Sequence, residues 1–241
     1  MDVVTRARRS ETFAEDLRSV IWWVLVGAAA GAIAGGVVGG IGGRLAMLLL
    51  RLTSSDDVLG MTSDDGFEIG VVTFDTVQLV LAMAMLGGIN GVLYAALRGA
   101  IPARLRLPLW AVLAAALGGA NIVHEDGVDF TVLEPAAVAI ALFVLLPGAA
   151  AALVVVLVER GSRVEPWADR RLSAGLCAAA LAGSFALFFA AVVGIAALAI
   201  RRVGASGVLR RIAAVVVPAG LVVVTLVAAW ELVSESTRIV R

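Results

Sequence analysis

The chain contains no lysine, one histidine, one cysteine and one tyrosine, and only 6% of its residues are aromatic. A single thiol, Cys177, excludes an internal disulfide, a thiolate metal cluster and a CxxC redox pair. A single histidine, His124, excludes the H-E-x-x-H zinc site and a histidine pair for haem. There is no G-x-S-x-G elbow, no phosphate loop with its lysine and no complete EF-hand loop, so the parts of a serine hydrolase, a phosphoryl transferase and a standard calcium site are all missing. We therefore expect no enzymatic activity. Acidic residues are absent from the middle of every long apolar run, which removes the usual mark of a proton-coupled pump. The formal charge is zero and every basic residue is arginine, so no basic excess invites nucleic acid, and the lack of lysine reflects codon composition rather than mechanism.

What the chain does have is length without polarity. Its 241 residues are 61% hydrophobic, the mean hydropathy is +1.01, and several apolar runs reach the roughly 20 residues needed to cross a bilayer as a helix. These features predict an all-α membrane protein with the bilayer as its first partner. Six spans are expected, over residues 20–43, 77–97, 107–123, 135–158, 172–200 and 212–230. Residues 1–19 form a cytoplasmic amphipathic segment, in which Thr12 and Glu15 have capping-box spacing; residues 20–234 form one transmembrane domain; residues 235–241 form a short cytoplasmic tail. Arg6, Arg8, Arg9 and Arg18 precede an apolar run longer than the h-region of about 7–15 residues in a signal peptide, so the first run reads as a retained span. With the N-terminus inside, most arginines fall on the cytoplasmic side, and the tryptophans (Trp22, Trp23, Trp110, Trp167, Trp230) fall at cytoplasmic span ends. Arg44, Arg51, Arg201, Arg202, Arg210 and Arg211 are left outside, the last four against the positive-inside rule.

Two patterns bear on assembly. Gly27, Gly31, Gly35, Gly39 and Gly43 stand four apart in the first span, a glycine zipper whose bare stripe lets another helix approach, within the chain, in a homo-oligomer or in a different membrane protein. The segments from Asp65 to Arg98 and from Asp126 to Arg160 echo each other: each has an acidic pair, a glycine, another acid, an apolar span interrupted midway (Gly87-Gly88, Pro147-Gly148) and a terminal Arg-Gly. That echo suggests two or three parallel helical-hairpin repeats, as in some transporters, against the alternative of chance likeness between glycine-rich apolar segments. Asn90 and Asn121, in LGGIN and LGGAN, are expected to hydrogen-bond between helices.

The remaining polarity is concentrated in two blocks expected outside the membrane, TSDDGFEIG (62–70) and HEDGVDFTVLEP (124–135). Together they resemble blocks of uncharacterised multi-span integral-membrane proteins of high-GC Gram-positive bacteria, over about residues 43–161. The resemblance implies a multi-span fold in a bacterial cytoplasmic membrane and supplies no catalytic roles. By their chemistry, Asp64, Asp65, Glu68, His124, Glu125, Asp126, Asp129 and Glu134 admit three readings. They form an oxygen-rich site for a divalent cation, a set of partners for Arg201, Arg202, Arg210 and Arg211, or a solvated surface. No other cofactor is expected. The functional expectation is a small permease, channel-like protein or transport-system membrane subunit with an acidic external rim. The alternative is a structural or assembly subunit that transports nothing.

Overall fold

The computed structural model describes residues 3–55, 61, 74–124, 135–161, 163–164, 175–176 and 207–240. Among these, every regular element is helical. Helix α1 (Val3–Ala34) passes through a π-helical segment (Gly35–Ile41) into α2 (Gly42–Thr53) without a break. Then come α3 (Phe74–Leu97), a single 3-10 turn (Ala103–Leu105), α4 (Arg106–Ile122), α5 (Ala136–Gly161) and α6 (Gly207–Ile239). Five helical stretches are long and apolar enough to cross a membrane: Glu15–Thr53, Phe74–Leu97, Ala103–Ile122, Ala136–Gly161 and Val215–Ile239. The expected span over 172–200 lies outside the described residues.

Several boundaries differ from expectation. The separate interfacial helix is the start of α1, and since the backbone is helical through Thr12, the Thr12–Glu15 spacing caps no helix start. The first span does not end at Gly43. It continues to Thr53, where Ser54 turns extended and the hydroxyls of Thr53 and Ser54 donate to the Leu50 carbonyl at 2.9 and 2.8 Å, satisfying an acceptor the helix end leaves open. At about 1.5 Å per residue, the 39 residues from Glu15 to Thr53 are nearly twice as long as a hydrocarbon core of about 30 Å is thick. The expected tail over 235–241 is likewise helical as far as Ile239.

Small residues set the seams. A Cβ added to Gly27 would stand 2.7 Å from the Gly91 carbonyl oxygen, and Gly31, Gly35, Gly87 and Gly91 face an opposing carbonyl more closely still. The pairs run Gly27 with Gly91, Gly31 with Gly87 and Gly35 with Met83, so α1 and α3 are antiparallel with backbones in contact. Only a hydrogen fits between such chains, and Cα–H groups aimed at carbonyls contribute roughly 0.5–1 kcal/mol each. Helices α4 and α5 form a second antiparallel seam: a Cβ added to Gly118 would stand 2.6 Å from the Pro147 ring, and one added to Gly148 3.1 Å from the Ala115 Cβ. Helices α3 and α5 run unbroken through Gly87-Gly88 and Pro147-Gly148, so these interruptions serve close packing.

Helix α6 packs along α4, with Leu221 toward the cluster of Trp110 and Leu113, Ala228 on Ala116 and Ala120, and Leu232 and Ile239 toward the cluster of Leu50 and Val123. It therefore runs parallel to α4. Its start, with Arg210 and Arg211, lies toward the end of the bundle that carries Arg98, and Ile239 lies toward the end that carries His124. Six crossings with both termini on one side would place Ile239 at the same end as Trp22; the directions of the described helices place them at opposite ends. Trp230, 77% exposed, consequently sits away from the other described tryptophans, while Trp22 and Trp110 are core residues at 2% and 4% exposure rather than interfacial rings.

Candidate functional site

The inter-helix polar chemistry among the described residues gathers at the Arg98 end. Glu159, on the last turns of α5, receives both guanidinium groups of its neighbours. Arg98 donates through Nε and Nη2 to its two carboxylate oxygens, each at 3.1 Å, a bidentate fork. Arg106, the first residue of α4, donates through Nη1 at 3.2 and 3.3 Å. Its Nε reaches the carbonyls of Arg98 and Ile101 at 3.1 and 3.2 Å, tying down the short α3–α4 turn. The hydroxyl of Tyr94 donates to Glu159 at 2.8 Å, and the Arg98 guanidinium stacks 4.2 Å above the Trp23 ring. Side-chain exposures of 18% for Arg98, 21% for Arg106 and 29% for Glu159 leave the cluster partly screened by water. One carboxylate under two guanidiniums leaves a formal excess of one positive charge.

This knot joins α1, α3, α4 and α5, and it was not among the residues singled out from sequence. The available signal was the only tyrosine one helical turn before Arg98, beside a lone acid in VLVERG. Tyr94 also contacts Trp110 with ring centroids 5.4 Å apart, and Trp110 Nε1 donates to Asn90 Oδ1 at 3.0 Å, bridging α4 to α3. Asn90 thus makes the expected bond between helices. Asn121 does not: its amide donates to Leu117 O at 2.7 Å within its own helix.

Above the knot lies a half-open cavity of about 520 Å³, lined by the glycine-rich first helix, α3, α4, α5 and α6. One wall is Gly35, Gly39 and Gly43 with Met47. A second is the α3 stripe from Leu79 to Leu97. The third and fourth are the α4 stripe Trp110, Leu113, Leu117 and Ile122 and the α5 stripe Phe143, Leu146, Ala150 and Val154. The glycine stripe packs on α3 at Gly27, Gly31 and Gly35 and borders the cavity from Gly35 through Gly39 to Gly43. The π segment falls at that transition; Gly42 N–H reaches back five residues to Val37 O, and such insertions recur at functional sites. Asn90 is the polar side chain in the described lining, and its oxygen already accepts from Trp110.

No protein-family profile, curated protein or solved structure matches this chain.

Of the residues singled out in the acidic blocks, Asp64, Asp65, Glu68, Glu125, Asp126, Asp129 and Glu134 lie outside the described residues, as do Arg201 and Arg202. His124 is described: it is exposed just beyond α4, and its Nε2 bonds the Asn121 carbonyl at 3.1 Å, an acceptor that requires the proton on Nε2. Among the described residues, no three His, Cys, Asp or Glu side chains group as metal ligands would. At this end Arg44, Arg51 and Asp75 are each engaged in polar or electrostatic contacts. Of the glycine stripe, Gly27, Gly31 and Gly35 lie against α3, a Cβ added to Gly39 would stand 3.4 Å from the Met83 side chain, and one added to Gly43 would meet nothing within 4 Å.

Proposed function

We propose that the protein is a small permease or the membrane subunit of a transport system, and that its solute carries an apolar body. The observation that carries this reading is the cavity: about 520 Å³ falls within the range of roughly 300–1,000 Å³ typical of ligand sites, at the meeting of several helices and beside a π segment. A cation-channel version receives less support, because conduction needs carbonyl or charged groups to replace an ion's hydration shell. In the described lining, the Asn90 side-chain oxygen is already engaged by the Trp110 N–H. The parallel directions of α3 and α5 are compatible with hairpin repeats. We place the molecule in a bacterial cytoplasmic membrane with the Arg98 end inside. That orientation puts Arg98, Arg104, Arg106, Arg160, Arg163 and the start of α6 on the side the positive-inside rule prefers, and moves Arg210 and Arg211 to that side as well.

The test is transfer of a fluorescent long-chain amphiphile between leaflets of vesicles containing the full chain, with potassium and calcium flux measured in parallel. Accelerated amphiphile transfer over protein-free vesicles is expected; equal rates in the two preparations overturn the permease reading. The assembly-subunit reading is favoured by one feature, the broad exposed apolar face of α6, where Val215, Val223, Leu226, Val227 and Trp230 are each at least 59% exposed. Recovery of a lone protomer after mild extraction and crosslinking counts against it. Self-association through the first helix would have to use surface beyond Gly35, because the stripe up to that point already packs on α3.

A further inference from the structure

We infer that the cavity binds an uncharged, largely apolar molecule through a carbonyl-type oxygen, which accepts a hydrogen bond from the side-chain amide of Asn90. The inference deepens the permease reading by naming the chemistry of the solute, and it rests on that reading only for the solute's being carried across. The first argument is an unanswered donor. Trp110 Nε1 donates to Asn90 Oδ1 at 3.0 Å. An indole N–H only donates, so it fixes the orientation of the amide and leaves the nitrogen on the other side. Among the described residues Nδ2 donates to no protein acceptor, and its neighbours do not seal it. Asn90 lines the cavity, so two amide N–H groups are left to whatever fills it. A primary amide without an acceptor in apolar surroundings is costly, and an oxygen that arrives on an apolar body removes that cost.

Depth and lining say what carries the oxygen. Asn90 stands eight residues before Arg98 and sixteen after Phe74, so at about 1.5 Å per residue it lies about 12 Å from one end of the span and about 24 Å from the other. That depth is inside a hydrocarbon core of about 30 Å. The ester oxygens of a bilayer lipid belong to the polar layer outside that core, so its chains can thread the cavity without bringing an acceptor to this depth. A carbonyl set in an apolar framework does reach it. Among the described lining residues none is charged, so an ionic group would enter without a counter-charge. The Trp110 ring and the bare backbone of Gly35 and Gly87 also line the cavity, surfaces on which a flat ring system packs closely. Leu86 and Leu117 belong to the lining and are exposed, so the open side faces the surrounding lipid and the occupant enters by partition from the bilayer.

The experiment compares fluorenone with fluorene, flat tricycles that differ only in a carbonyl against a methylene, bound to the purified full-length chain in micelles of a non-ionic detergent. After subtraction of partition into protein-free micelles, fluorenone should bind about fivefold more tightly than fluorene, the factor expected for one net hydrogen bond. The infrared difference spectrum should place the carbonyl stretch of the bound ketone below its value in dry hydrocarbon. Asn90→Leu should bring fluorenone to the affinity of fluorene and cancel that shift, whereas Ala114→Phe, which fills the cavity, should abolish both ligands. Fluorene bound to Asn90→Leu shows that the variant is folded; if it binds neither ligand, the two measurements on the parent chain decide. Equal affinity of the parent chain for both ligands, or a stretch at the hydrocarbon value, overturns the inference. So does a ketone preference that survives in Asn90→Leu. Phosphatidylglycerol titrated into the micelles should leave the shift in place; its loss with added lipid makes a lipid ester the acceptor and overturns the assignment. A ketone preference without leaflet transfer of the amphiphile defeats the permease reading and leaves this site standing; transfer without the preference does the reverse.

Discussion

Glu159 is where a single side chain bears most on the molecule. It accepts from Tyr94, Arg98 and Arg106, so three elements lose an anchor if the carboxylate is removed. Glu159→Gln keeps the shape and discards the charge. Because the group is partly exposed and its ion pairs are screened, we expect a loss of roughly 1–3 kcal/mol rather than the larger penalty of a fully buried pair. Denaturant unfolding of the purified protein in micelles measures it, and a midpoint unchanged from the parent contradicts the knot. Trp110→Phe tests the neighbouring bond by stranding Asn90 Oδ1. Hydrogen bonds between membrane helices average about 0.6 kcal/mol, so a small destabilisation is expected, visible in the same assay. The two asparagines show how far sequence reaches at this scale. LGGIN and LGGAN look alike, yet Asn90 faces Trp110 on another helix, while Asn121, on the last turn of α4, finds the carbonyl four residues back first.

At the scale of the helix, the α1–α3 seam depends on bare backbone. Lipid tails are as apolar as leucine, so association between spans rests on close contact and weak hydrogen bonds rather than on exclusion of water. Gly31→Ala places a methyl group against the Gly87 carbonyl, where both neighbours are main chain and cannot swing aside. We expect a destabilisation of about 1–3 kcal/mol, the usual penalty of overpacking. Gly43→Ala meets nothing within 4 Å and gains helix propensity, so it should be neutral or stabilising by up to about 1 kcal/mol. Thermal unfolding of the two variants side by side decides the matter; equal effects would mean that the stripe is not a contact surface. The spacing of the glycines is visible in the sequence as a stripe. Their partner is not, because Gly87 and Gly91 carry no side-chain signal that distinguishes a neighbour within the chain from a second copy.

For the whole molecule, the direction of α6 has the widest consequence. It sends Thr237 to the His124 end, the end at which α2 finishes, and brings the start of the helix to the end that carries Arg98 and Arg163. In a Cys177→Ser background, an impermeant thiol reagent on intact cells should therefore treat Thr237→Cys like Ser54→Cys and unlike Arg163→Cys. Labelling of Thr237→Cys together with Arg163→Cys would restore an even number of crossings and reverse this placement. Six single crossings place RRVGASGVLRR outside, against the positive-inside rule, whereas the direction of α6 among the described residues brings its start to the Arg98 end.

Sequence alone determined that the chain carries helices long and apolar enough to cross a membrane, because run length and apolarity are local quantities and hydrocarbon leaves a backbone no option but to satisfy itself locally. It also determined where bare backbone is available and which chemistries lack their residues. Tertiary structure alone decided that Glu159 meets residues 61 and 53 positions away, that the glycine stripe packs on α3 and borders the cavity, and that the last helix runs alongside α4. Such pairings depend on shape matched across the bundle between surfaces of nearly uniform apolarity, and a one-dimensional pattern of leucine, valine, alanine and glycine does not rank one apolar partner above another.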